Sequence, residues 1–243
     1  MSRRSVHACM RRHFASVLGL LALAAAPAQA AVSPAAYAAI LETVQTEQAT
    51  MQARWAAADD AETRTELLAA ARATVFRRIA HDLIPAWKGT PWEFWGTTQT
   101  PGVGEIACGY YVSTILRDAG FEVERVKLAQ QASERIIITL TPRDRIWRTS
   151  DATVERSLRP LEEHGDGIYM VGLDYHVGLL VREGGETLFC DSSYINPSAV
   201  LCQPPDEAAS YTSRYRVVGQ LLTDPMMEAW LEGQPLPTFT GKL

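Results

Sequence analysis

Gly102-Val-Gly-Glu-Ile-Ala-Cys108-Gly-Tyr-Tyr-Val112-Ser-Thr-Ile-Leu-Arg-Asp-Ala-Gly120-Phe121 is the stretch on which the reading of this chain turns. A glycine-rich loop runs into a single cysteine, Cys108. From there the apolar spacing becomes helical: Cys108, Val112, Ile115 and Ala119 share one face, with Leu116 beside them. Gly120 stands where a glycine favours the end of a helix. Cys108 is therefore expected at a helix N-terminus, on the inward face. There the free N–H groups and the positive end of the helix dipole stabilise a thiolate. A buried structural cysteine is the alternative. The small neighbours Ala107 and Gly109 argue against it, since they leave room for a substrate.

Upstream, the segment 85–99 is dense in aromatics: Trp87, Trp92, Phe94 and Trp95. It is read either as a packed loop over a helix or as a groove wall beside the thiol, with Trp92 and Trp95 as the groove residues. Further upstream, 34–57 and 60–86 read as two amphipathic helices. Ser33-Pro34 is an N-cap signal with Pro at the first helical position. Asp59-Asp60 marks the break between the helices. The pair makes a helical hairpin extension over residues 31–86.

Downstream, 122–128 reads as a short strand. The apolar run 133–140 fits either a helix or a strand, because Ile136-Ile137-Ile138 favours the latter. A short helix follows at 153–163. Strands are then expected at 167–172, 175–182, 186–192, 199–203 and 215–222. Asp224-Pro225 opens a last helix to about Leu231, and the tail after Gly233 reads as irregular.

The chain has 243 residues, 47% of them apolar and 21% charged, an ordinary globular composition. Residues 1–30 read as a signal peptide: Arg3, Arg4, Arg11 and Arg12 precede an apolar run over 14–26, and Ala28-Gln29-Ala30 is a small-x-small cleavage site. The expected location is the periplasm or outside the cell. No later stretch is long and apolar enough to span a membrane. Loss of the leader's four arginines takes the net charge from −5 to −9, which disfavours nucleic acid and anionic membrane surfaces as partners.

Three cysteines remain after the leader: Cys108, Cys190 and Cys202. An exported compartment oxidises thiols, and an odd number leaves at least one unpaired. Cys190 and Cys202 are close in sequence and form the candidate disulfide, leaving Cys108 free; three unpaired cysteines is the other reading. No His/Cys pair stands at metal-ligand spacing, so neither a metal nor a cofactor is expected.

A thiol nucleophile needs a base. Three histidines remain: His81, His164 and His176. His81 lies mid-helix among charged residues, and His164 sits in a polar turn. His176 heads an apolar strand, with Gly178 two residues on and on the same face, leaving space above the sheet for a helix or substrate. A two-residue turn at Glu183-Gly184 would pair Arg182 with Gly185 and His176 with Asp191, whereas a shift of two would put Ser193 opposite His176. Asp191 is the best candidate to orient the imidazole.

The segments Gly104-Glu-Ile-Ala-Cys108-Gly-Tyr-Tyr-Val112, Tyr175-His-Val-Gly-Leu179 and Phe189-Cys-Asp-Ser-Ser-Tyr194 together resemble the papain-like cysteine peptidases of bacterial cell walls, the NlpC-type family. The resemblance covers about residues 95–200. Two features depart from that family: Ala107 stands where an Asp or Asn often precedes the cysteine, and Asp191 stands where a His is common.

The resemblance implies an α+β catalytic domain over 87–243, with the cysteine-bearing helix packed on an antiparallel sheet. It also implies a Cys108–His176–Asp191 triad cleaving an amide, with peptide or peptidoglycan-like substrates. The Cys108 backbone N–H would serve as one oxyanion donor, and Gln99 or Tyr110 as the second. A transglutaminase-like acyl transferase and a non-catalytic periplasmic binding module are the rival readings.

Overall fold

The computed structural model describes residues 32–238; the predicted leader and its cleavage site lie outside them. No helix among the described residues is long and apolar enough to cross a membrane.

The chain opens with helix α1, Pro34–Ala57. Ser33 caps it, its hydroxyl oxygen accepting from the Ala36 N–H at 3.2 Å. Helix α2, Ala61–Arg77, is capped in the same way by Asp60. It runs on through a widened π-helical turn, Arg78–Leu83, into the short helix α3, Ile84–Trp87. The widening precedes Pro85, which lacks the N–H that a regular turn would use.

This hairpin belongs to the main core. Tyr37, Trp55, Leu67, Val75 and Leu83 join one apolar cluster with Tyr111, Ile115 and Leu116 of helix α4, Cys108–Asp118. Polar contacts tie the same elements: Tyr37 Oη donates to Asp118 at 2.5 Å, and Trp87 Nε1 donates to Tyr37 Oη at 2.8 Å.

Two short helices follow, α5 (Arg125–Ala129) and α6 (Ser133–Leu140). The strand expected at 122–128 is thus mostly helix; its extended part is a single bridge from Glu122 to Pro235. The 133–140 ambiguity resolves as a helix that buries Ile136, Ile137 and Leu140 and exposes Ile138. The tail is docked as well, with the Leu236 N–H donating to the Glu122 carbonyl at 2.8 Å.

Six strands form one antiparallel sheet: β1 (Ile146–Ser150), β2 (Gly167–Leu173), β3 (Val177–Glu183), β4 (Glu186–Ser192), β5 (Val200–Gln203) and β6 (Tyr215–Gln220), in the order β1-β6-β2-β3-β4-β5. The fold is therefore α+β. Strand β1 was absent from the sequence reading; it is an edge strand, only half-buried, so its apolar pattern is weak. Helices α4 and α6 cover one face. Helix α7, Val154–His164, covers the other over Tyr169, Leu180 and Phe189. Helix α8, Asp224–Glu232, packs on α1 and α2 and donates from Trp230 Nε1 to the Ala119 carbonyl at 2.9 Å.

Candidate active site

Cys108 is the first residue of α4, with Ala107 in the cap position in an extended conformation. Alanine offers no side-chain oxygen, so no cap side chain accepts from the N–H groups of the first turn. The approach to the helix is pinned. The Ile106 N–H donates to the Pro91 carbonyl and the Ala107 N–H to the Gly96 carbonyl, both at 2.9 Å. Ser192 Oγ donates to the Ile106 carbonyl at 2.6 Å, tying the end of β4 to the same loop.

Gly109 proves to be small for a reason other than substrate room. A Cβ there would lie 2.3 Å from the Ala129 carbonyl oxygen, so glycine is what lets α5 approach the start of α4.

The β3–β4 hairpin turns at Gly184-Gly185, both with positive φ, and pairs Glu183 with Glu186. The register is two residues away from the one expected. Leu179 faces Cys190, and continuing the ladder one place sets Gly178 opposite Asp191. An even shift preserves the face, so His176 and Asp191 meet on the diagonal instead. His176 Nε2 lies 2.6 Å from Asp191 Oδ2. The space at Gly178 is filled by neither a helix nor an open groove. A Cβ there would lie 2.4 Å from the Phe189 ring and 3.0 Å from Asp191 Cβ.

With Nε2 engaged by Asp191, the ring nitrogen left to face the thiol is Nδ1, which is buried and has no hydrogen-bond partner. Burial alone pushes the Cys108 thiol up. The His176 imidazole outweighs it, helped by the N–H groups of Val177 and Gly109, and holds the thiol below its ordinary value. Burial likewise disfavours the His176 imidazolium, but Asp191 and Cys108 overcome it and raise its pKa to about 9. Both shifts run in the direction that favours a thiolate beside an imidazolium. Tyr111, directly behind on α4, has a fully buried hydroxyl without a partner; burial first, then the charge of Asp191, pushes it well above the ordinary tyrosine range.

Cys108 and His176 lie where two clefts meet. The larger, of about 640 Å³, is walled by Trp92, Phe94, Trp95, Tyr110, Tyr175 and Tyr194. The smaller, of about 230 Å³, is more polar and includes Ser133 and Asp174. Trp92 and Trp95 therefore stand in the cleft wall, as the groove reading expected. The sequence reading assigns no role to Tyr175 or Tyr194, although Tyr175 directly precedes His176 and Tyr194 follows Asp191 by three residues; Tyr194 stacks edge-on against His176 at 5.3 Å.

Tyr110 lines the cleft under the Arg125 guanidinium, 4.9 Å from its ring centre. Gln99 does not reach the site. Its carbonyl oxygen accepts from Arg117, and it lines a depression beside α1, so it is withdrawn as an oxyanion donor.

The other histidines lie elsewhere. His81 pairs with Glu183 at 3.1 Å on the surface, and His164 stacks on Trp147 at 4.6 Å. Cys190 and Cys202 face each other across β4 and β5 and are bonded, leaving Cys108 as the free thiol among the described residues.

No family model matches the chain, and neither does any curated protein or solved structure. The case for a class of activity therefore rests on the site's own chemistry.

Proposed function

We propose that this chain is an exported cysteine hydrolase of amide bonds with a papain-like catalytic arrangement. One observation carries the reading: Asp191 holds His176 by Nε2, leaving the buried Nδ1 for a thiol whose pKa is held down.

In this reading the Cys108 thiolate attacks the amide carbonyl carbon, forming a C–S bond. The negative charge that develops on oxygen is met by the Cys108 N–H at the start of α4. The C–N bond then breaks, and the His176 imidazolium gives its proton to the departing amine. Water, deprotonated by the same imidazole, attacks the thioester. The acid is released and the thiol restored. Asp191 fixes the ring tautomer and stabilises the imidazolium throughout. Acyl transfer to an amine in place of water is a second reading, favoured by the smaller cleft that opens at the same thiol.

Iodoacetamide kinetics test the thiol. Cys108 should alkylate at pH 6 to 7 far faster than an ordinary thiol, and His176→Ala should remove that advantage. An alkylation rate that follows an ordinary thiol titration in both proteins would favour the binding-module reading. Adding an amine acceptor and analysing the products separates hydrolysis from transfer.

A further inference from the structure

The chemistry of the larger cleft bears on what is bound there, given the thiol-hydrolase reading above. Its wall is aromatic and outward-facing: Trp95 is 80% exposed, Phe94 63% and Tyr175 95%. Such exposed aromatic surface gathered around one cleft marks a site of contact with something apolar. Apart from the Cys108–His176 pair, no ionisable acid or base of the Asp, Glu, Lys or Arg type lines it. A substrate with carboxylates or ammonium groups on this side of the scissile bond would lose their hydration with no opposite charge to replace it.

A peptide would also need backbone partners, and several of the wall's own backbone groups are engaged. The Trp92 N–H donates to the Ser198 carbonyl, the Trp95 N–H to Glu93, and the Gly96 carbonyl accepts from Ala107. The Thr97 carbonyl accepts from Arg125 at 3.0 Å. None of the residues that line the cleft lies in a strand of the sheet, so an extended peptide finds no strand edge among them to join. A hydrocarbon chain needs no such partners and gains from aromatic contact.

We propose that the acyl half of the substrate is a neutral aliphatic chain, lying against Trp92, Phe94, Trp95 and Tyr194 with its carbonyl at Cys108. The substrate is then an N-acyl amine or a related acyl derivative. The thiolate takes the acyl group by forming the S–C bond as the C–N bond breaks. The amine leaves with the proton from His176, and water releases the fatty acid.

The test uses p-nitrophenyl esters of straight-chain acids from acetyl to decanoyl, together with the succinyl monoester. Sγ–C bond formation expels p-nitrophenolate, read as an absorbance burst, and the thioester is located on Cys108 by intact-mass and peptide mapping. The acylation rate constant should rise roughly threefold per added methylene until the cleft is filled. The succinyl ester should fall at least tenfold below the butyryl ester. Trp95→Ala and Tyr194→Ala should each reduce the decanoyl-to-acetyl ratio at least fivefold; Trp95, so exposed, can be removed without disturbing the core.

A burst that is indifferent to chain length, or fastest with succinyl, would overturn the inference while leaving the hydrolase reading intact. It would point to sugar rings or peptide side chains as the occupant. No burst with any ester would sink the hydrolase reading, and the inference with it.

Discussion

Nε2 of His176 stands 2.6 Å from Oδ2 of Asp191, with both side chains 2% exposed. A buried carboxylate so placed sets which ring nitrogen carries the proton. Asp191→Asn retains a hydrogen-bonding group of the same shape but favours the wrong tautomer. We expect the fold to be kept and ester turnover to fall by about 10²- to 10⁴-fold. Asp191→Ala should lose at least as much. His81→Ala and His164→Ala, whose side chains lie outside the cleft, should stay within about twofold of the parent. A large loss in His164→Ala would mean that the base is misassigned.

The pair also sets the pH dependence. For the proposed reaction, the acid limb of a turnover profile should report the depressed Cys108 thiol and the alkaline limb the loss of the His176 proton near pH 9. Stability carries a separate signature from His176 in the parent chain, where both Asp191 and Cys108 raise its pKa. The folded chain holds the His176 proton more tightly than the unfolded chain, whose histidine has a pKa of about 6.5. The stabilisation is therefore complete below that value and is lost as pH rises through the raised folded pKa. The contribution is read as the difference in urea unfolding between the parent chain and His176→Gln at pH 6 and pH 9, which should shrink as pH rises.

Gly178 is opposite Asp191 and beneath the Phe189 ring. Gly178→Ala forces a methyl to 2.4 Å from a ring that is itself fully buried and packed on Tyr211. We expect a loss of about 1–3 kcal/mol in unfolding free energy, together with reduced turnover as Asp191 is displaced. A variant as stable and active as the parent would show that Phe189 relaxes freely, contrary to the packing described.

Tyr37 links the hairpin to the far end of the cysteine helix. Its hydroxyl donates to Asp118 and accepts from Trp87. Tyr37→Phe leaves a buried carboxylate short of one donor and a buried indole N–H without an acceptor. The expected cost is about 2–4 kcal/mol, measured by urea unfolding. An unchanged midpoint would mean that the hairpin contributes little through this contact.

The elements that carry the site were legible because their patterns are long and strong. The helix that begins at Cys108 and the strand Glu186–Ser192 fall where the periodicity puts them. The hairpin register did not. Period-two alternation is blind to a shift of two, and only the backbone of Gly184-Gly185, both at positive φ, decides which pair closes the turn. Helix α5 is five residues long, too short for a helical period to show in its one valine and one leucine.

What the sequence by itself determined is local: a cysteine at a helix start, a histidine just ahead of one strand and an aspartate of the same parity on the next, and two cysteines near enough to pair. Those features follow from side-chain spacing along one segment. Tertiary structure alone decided that Gln99 turns away to Arg117 and that Tyr175 and Tyr194 join the tryptophans around the thiol. It also decided that Gly178 and Gly109 make room for Phe189 and Ala129, and that the helical hairpin shares the core of the cysteine-bearing helix. Each of these depends on which distant surfaces come within contact distance, and such contacts leave no period in the chain that makes them.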